Sequence, residues 1–457
     1  MENKSETFDV AVIGGGPAGM MAAGTAAAKG ANVVLIEKNN KPGRKLLLTG
    51  KGRCNITNAE YDPSAFIETL SKKAKFLYPA LHLFGVRDTL EFFNKRGLET
   101  KVERGKRVFP VSDRAGDVLR VLLDFLKETG VKVLVNTPVI GLEKEGRSIV
   151  KAIIAGGEIG TGGHDTSPNQ INQKFFGGAG GDFSKKPPAR RRQEKNSLVA
   201  GKYILCSGGL SYPGTGSTGE ALRWLERLGH SIITPVPALT LVKVAEKWVD
   251  ELKDLTLKNV RISVYQNNKK QDERFGEAQF VQGGIGGPIV LDMSKNIGEL
   301  LKKGAVRLSL DLKPALEYRK LDARIQRDFR DYSNKMFSNS LDKLLPQKLI
   351  PVMVNLSGIE PARKVNSITK EERKNLLHLF KELPLRVRGL FGFEKALVTA
   401  GGVSLKEIDP RTMRSKFIDN LYFAGEIIDL DAPTGGYNLQ ICWSTAFAAG
   451  SAFDSRF

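Results

Sequence analysis

The residues of this chain whose types and spacing could do chemistry lie mostly in glycine-rich stretches. GGGPAG, Gly14 to Gly19, follows the β-branched apolar run FDVAVI (Phe8 to Ile13) without a gap. Ala-rich helical sequence runs on to Lys29, and a second apolar run, NVVLIEK, carries Glu37 at its end. Strand, glycine turn, helix, strand and acidic residue stand in the order that a dinucleotide-binding turn requires. In that reading Gly14 makes the tight turn, Gly16 lets the backbone approach a pyrophosphate, and Gly19 lets the helix lie close to the strand. Gly15, Pro17 and Ala18 complete the helix start, whose N–H groups and positive dipole end face the phosphates. Glu37 is placed to accept from a ribose 2′-OH, which favours FAD or NAD over a 2′-phosphorylated cofactor. Ala23 and Gly30 continue the small-residue spacing under the helix.

The elements that must position these residues recur later in the chain. KYILCSGG (Lys202 to Gly209) is another strand running into glycine, with Gly208 in its turn, and resembles the closing turn of glutathione-reductase-type FAD domains. NLYFAGEIID ends an apolar strand on Gly425 and Glu426, and PTGGYNLQICWSTAFAAGSAF then reads as a buried helix after a glycine turn. Start, middle and end therefore converge on one FAD site. Asn438 and Gln440, with the helix's modest length, argue against a membrane segment.

GRKLLLTGKGRCNITN (Gly43 to Asn58), with GGLSYPGTGSTG and APTGGYNLQ, resembles the HI0933/YhiN-type (BaiN-like) flavoproteins, and the likeness runs through nearly the whole chain. The resemblance implies an α/β fold: a Rossmann-like FAD-binding domain of glutathione-reductase type, interrupted by an inserted β-domain and a small helical subdomain. It implies that these segments wrap FAD, with contacts from Gly14 to Gly19, Glu37, Lys38, Arg44, Lys45, Arg53, Cys54, Asn55, Gly208, Gly425, Glu426, Gly435, Gly436, Tyr437, Asn438, Leu439 and Gln440. Arg44 and Arg53 can offset pyrophosphate charge, and Asn55, Thr57 and Asn58 offer short polar groups to a ribityl chain. Lys41, Lys45 and Lys51 also read as loop cations. Lys51 stands where the family commonly shows glycine, which puts the local backbone at issue. In VQGGIGGPIVLD, Gln282 and Gly283 replace a polar pair that the family shows before an apolar strand.

A second G-x-G-x-x-G match lies at Gly214, Gly216 and Gly219. LSYP separates it from its strand, and the next strand candidate, HSIITPV, ends without a carboxylate. Both omissions break the nucleotide-binding context. The match reads instead as a glycine-rich helix start near the flavin, on its substrate side. One FAD without a second dinucleotide domain leaves two electron sources, NAD(P)H docking transiently at the flavin face or another reductant.

The expected domain order is 1–209 for the first part of the FAD domain, 210–312 for the β-rich insertion, 313–390 for the helical subdomain and 391–457 for the last part. Residues 156–198, rich in Gly, Pro and polar groups, read as a flexible basic insertion with Lys185, Lys186 and Arg190 to Arg192 clustered in it. The 70 Lys and Arg against 50 Asp and Glu give a formal charge of +20. Such an excess attracts polyanions, and with stretches such as KRGLETKVERGKR it favours RNA as partner. Cys54, Cys206 and Cys442 imply no disulfide framework. No metal set, membrane span or secretion signal is evident, so a cytoplasmic enzyme is expected. Members of the family linked to dihydrouridine in large-subunit rRNA, and others linked to steroid-like enones, imply hydride transfer from flavin to an activated C=C bond. A small-molecule oxidoreductase and a non-catalytic flavin-bearing RNA-binding factor are the alternatives. The sequence assigns no catalytic acid: the Cys54 and Cys442 thiols read more readily as buried small hydrophobes, and nothing in the pattern favours Tyr212 or Tyr437.

Overall fold

The computed structural model describes residues 7–155 and 195–452. The segment 156–194, with its basic cluster, lies outside the described residues. The chain divides into two compact units, Met1–Val236 with Val398–Phe457, and Pro237–Leu397.

The first unit is built on a five-stranded parallel sheet. Its strand order is Leu421–Phe423, Ala200–Leu205, Phe8–Ile13, Val33–Ile36 and Lys132–Leu134. Apart from Asp9 and Lys202 near their starts, the inner strands are free of charge because both faces of the sheet are covered. Val10, Val12, Val33 and Leu35 pack with the helix Pro17–Ala28, whereas Ala11, Ile13, Val34 and Ile36 enter a second cluster on the other face. The last helix, Tyr437–Ser451, lies on the first so closely that a Cβ on Gly450 would stand 2.6 Å from the Ala22 carbonyl oxygen. Gly30 has no neighbour that a Cβ would meet, so its value is the turn after the helix (φ +91°) and not packing beneath it.

His230 is buried in this unit. Its Nδ1 lies 3.1 Å from Glu407 Oε2 and its Nε2 3.1 Å from Ser415 Oγ. Ser415 Oγ already accepts from the N–H groups of Phe417 and Ile418, so its proton goes to Nε2 and the ring donates from Nδ1 to Glu407. Burial lowers the His230 pKa below its ordinary value although Glu407 opposes this. The folded state then binds fewer protons than the unfolded chain, so the contribution is complete above the unfolded His range, about 6.5, and is lost as pH falls below it. Urea midpoints are expected to drop between pH 7 and 5, and His230→Gln should flatten that limb. An unchanged slope in the variant would refute the assignment.

The second unit contains a closed barrel. Its order is Val242–Val244, Gly284–Gly286, Lys269–Val281, Thr256–Gln266, Arg307–Asp311 and Leu383–Leu390. Two expectations need correction. Pro288–Leu301 is a helix and not a strand, because Gly287 turns the chain (φ 91°) and Pro288 sits in the first turn, where its missing N–H costs nothing. Leu383–Leu390, placed with the helical segment, closes the barrel instead, pairing with Arg307–Asp311. The helices Tyr318–Asp331, Ile350–Ser357 and Lys370–Lys381 share the barrel's core through Ile325, Met353, Leu376 and Phe380. Lys381 Nζ, 2.6 Å from Asp311, pins the last of these helices to the barrel.

Candidate flavin-binding site

The three glycines of the first turn do three different things. A Cβ on Gly14 would meet the Cys206 carbonyl oxygen at 2.5 Å, at φ +108°. A Cβ on Gly19 would stand 1.8 Å from the Gly14 carbonyl oxygen, so the helix can close on its turn only without one. Gly16 has nothing within 4 Å of that position. It is the N-cap of a 12-residue helix with no side-chain cap, which leaves the first-turn N–H donors to a ligand.

Glu37 Oε2 accepts from the Gly15 N–H (2.8 Å), while Oε1 accepts from both the backbone and side-chain amide of Asn39. Oε2 keeps a lone pair for a ribose hydroxyl. Asn39 also accepts from Arg44 and donates to the Thr215 carbonyl. Nothing in the sequence spacing marks Asn39, yet it joins the acidic residue to the second glycine stretch. Lys38 donates to Thr218 Oγ1 (2.8 Å), and a Cβ on Gly216 would meet Asn39 Nδ2 at 2.6 Å. The stretch Gly214 to Gly219 thus lies by Lys38 and Asn39, beside the Glu37 carboxylate. Tyr212, in the left-handed region (φ 51°), turns the chain back to that position.

At the other end, Gly425 approaches the first helix, where its Cβ would be 2.8 Å from the Ala18 Cβ. Glu426 is held by Lys45 Nζ (2.6 Å), Ser211 Oγ (2.5 Å) and the Thr399 N–H (2.7 Å). Ser211 and Thr399 are fully buried and were not singled out by sequence. The last helix starts at Gly436, also without a side-chain cap, and its backbone presses on Thr57: a Cβ there would be 2.3 Å from the Thr57 carbonyl. Asn58 Nδ2 donates to Gly435 and Gly105. The Oδ1 atoms of Asn55 and Asn58 are buried with no hydrogen-bond partner. Buried acceptors are rarely left so.

Not every implied contact residue faces this cradle with its side chain. Arg53 is clamped between Glu103 and Asp113 (2.5 and 2.6 Å) and lies over Phe109, so its charge is already spent on two carboxylates. Gln440 bridges Thr57 and Ser444, and Asn438 ties the backbone of Ala432 and Pro433. Asn438 fixes the loop before the helix, and Gln440 fixes the helix itself to Thr57. Tyr437 packs edge-on to Phe66, and Leu439 packs against the core of the sheet. Gly208 approaches Ser217, 2.9 Å from the position of its missing Cβ.

Burial raises Cys54 and Cys442 to about 12 and Cys206 further in the same direction. All three therefore remain thiols at neutral pH. Lys51 holds φ 58°, ψ 40° between two glycines that also have positive φ, so the glycine-favouring backbone persists without the glycine. That conformation costs a side-chain-bearing residue about 1–2 kcal/mol, offset by the greater unfolded entropy of glycine. Lys51→Gly is expected to stabilise by about 0.5–1 kcal/mol in urea unfolding without loss of flavin.

An open glycine turn at one uncapped helix start, a second such start, and orphaned amide oxygens nearby fit a flavin dinucleotide. The fold and cradle are those of a Rossmann-like FAD-binding protein. The model of the HI0933-like protein Rossmann domain matches residues 8–161 and 184–452. The chain belongs to this family, whose members are FAD-dependent oxidoreductases. It is 30% identical to 3-dehydro-bile acid delta(4,6)-reductase of Clostridium scindens, over 98% of this chain and 99% of that protein. It is 26% identical to ribosomal RNA dihydrouridine synthase of Escherichia coli, over 97% of each. The solved 3-ketosteroid delta1-dehydrogenase of Sterolibacterium denitrificans shares the fold at a TM-score of 0.50, with 13% identity over 98% of this chain and 99% of that one. No helix among the described residues is long and apolar enough to cross a membrane.

Proposed function

We propose that this protein is an FAD-dependent reductase of a carbon–carbon double bond conjugated to a carbonyl, with a uridine of large-subunit rRNA as its substrate and NAD(P)H as its transient donor. The names of the two curated relatives share one chemistry. A dihydrouridine is a uridine saturated at the bond conjugated to its carbonyl, and a 3-oxo steroid with Δ4 and Δ6 bonds is a vinylogous enone. Bound flavin supplies hydride to the β-carbon of such a system. The residues of this chain contribute the rest. The turn Gly14 to Gly19, Glu37 and Asn39 hold the dinucleotide, with Gly16 presenting backbone to phosphate. Asn55 and Asn58 present acceptors for hydroxyl or ring N–H donors. The clamp of Lys45, Ser211 and Glu426 fixes the turn that rests on the first helix.

The observation that carries RNA is the charge of +20, far from what a neutral metabolite needs. A uridine in folded RNA must leave its stack to meet a flavin, at a cost of about a few kcal/mol. Mass mapping of large-subunit rRNA from a deletion strain is expected to show a reduced uridine lost and then restored by the intact gene. Retention of every reduced base would end the rRNA reading. The 30% identity to the bile-acid reductase favours a second reading, a small cyclic enone. NAD(P)H oxidation stimulated by an enone and not by RNA would establish it.

A further inference from the structure

The helix Tyr318–Asp331 buries Leu321, Ile325, Asp328 and Phe329. Arg319, Lys320, Arg327 and Arg330 are exposed, and none has a hydrogen-bond or ion-pair partner among the described residues. At about 100° per residue these four fall within one arc of roughly 100°, opposite the buried face, and span about 16 Å along the axis. The only other exposed residue inside that arc is Ala323.

The helix's own carboxylates are turned elsewhere. Asp328 accepts twice from Arg324, and Asp322 accepts from Arg373 (2.9 Å) and Gln326. Asp331 lies 3.7 Å from Lys343. At the helix end the Tyr332 ring carries two more cations, Lys335 at 3.7 Å and Lys343 at 4.7 Å. Like charges three residues apart, such as Arg327 and Arg330, weaken an isolated helix by a few tenths of a kcal/mol. No carboxylate among the described residues pairs with either arginine.

The basic stretch from Lys95 to Arg107 behaves differently. Lys95 pairs with Glu91, Lys101 with Asp113, and Lys106 with Glu60. In that stretch Arg104 alone lacks such a partner among the described residues, whereas the helix leaves four cations within one arc.

We propose that this stripe is a docking surface for the phosphate backbone of a folded RNA, an inference that rests on the RNA reading above. Three of the four residues are arginines, whose planar donor fork matches phosphate oxygens. The stripe holds no large apolar side chain, so it does not have the face with which an amphipathic helix enters a membrane.

The test compares the full-length flavin-bound protein with the variant Arg319→Gln, Lys320→Gln, Arg327→Gln, Arg330→Gln, and with a charge-preserving Arg319→Lys, Arg327→Lys, Arg330→Lys variant. The probe is transcribed large-subunit rRNA, titrated at several salt concentrations, with phosphatidylserine vesicles as a parallel arm. The glutamine variant is expected to bind at least about tenfold more weakly, and its slope of log K against log salt should shrink by about three, near 0.7–0.9 for each lost phosphate contact. The lysine variant should keep the slope, and both variants should keep flavin content and melting temperature. RNA binding with wild-type slope in the glutamine variant overturns the stripe and leaves the rRNA reading standing. No salt-dependent RNA binding by the wild type overturns both. Loss of vesicle binding alone, with RNA binding intact, assigns the surface to a membrane and overturns the proposal.

Discussion

Gly19→Ala is expected to yield a protein that purifies without flavin and is destabilised by several kcal/mol. The added Cβ would sit 1.8 Å from the Gly14 carbonyl oxygen, and both partners are backbone, so neither can rotate away. The helix must lift from the sheet, which opens the packing of Met20, Ala22 and Ala23 beneath it. Losses of this size follow when a core is prised apart. Gly16→Ala, three residues away, separates the two uses of the turn. Its Cβ meets nothing within 4 Å and its φ of −76° suits any residue, so the flavin-free protein should unfold at the wild-type urea midpoint. Flavin should nevertheless dissociate at least about tenfold faster, since a methyl group would stand where backbone must approach phosphate. Absorbance at the flavin band relative to protein reads both variants. Full flavin retention by Gly16→Ala would remove this turn from the cradle.

Glu426→Ala carries the second large effect. The carboxylate accepts from Lys45, Ser211 and the Thr399 N–H, and the Lys45 and Glu426 side chains are only 21% and 16% exposed. Removing it leaves the ammonium with Ser211 Oγ but no counter-charge, and takes the acceptor from the Ser211 hydroxyl and the Thr399 amide. Breaking a fully buried pair costs about 3–5 kcal/mol, and the residual exposure here reduces that to about 2–3 kcal/mol. Adding Lys45→Met to Glu426→Ala should recover part of the loss, because the uncompensated charge then disappears. A double-mutant cycle in urea reads the coupling. Strictly additive losses would show that the ion pair contributes nothing.

Much of this was readable before any coordinate. The strand at Phe8–Ile13, the glycine turn, Glu37 and the last helix follow from local pattern, since strand, turn and helix chemistry are each encoded within a few residues. What the sequence does not show depends on distant partners. Arg53 is a cation in a glycine-rich loop by sequence, but Glu103 and Asp113, 50 and 60 residues away, claim it. PIVLD is as apolar as any strand, and only the turn at Gly287 starts it as a helix. Asn39 and Thr399 belong to no motif and Ser211 is an unmarked member of GGLSYPGTGSTG; their roles come from hydrogen bonds to residues far along the chain. The same holds for the cationic stripe, where the decisive fact is which charges lack a counter-charge.

The last helix bears on how the protein comes to be made. Thr57 and Asn58 are finished by Gly435 and Gly436, and the first helix is finished by Gly425. An edge strand of the central sheet, Leu421–Phe423, also arrives only then. A nascent chain on the ribosome can complete the barrel unit while the nucleotide cradle still lacks one wall. The first unit is therefore closed only by the last residues to leave the ribosome, long after its opening strand and glycine turn have emerged.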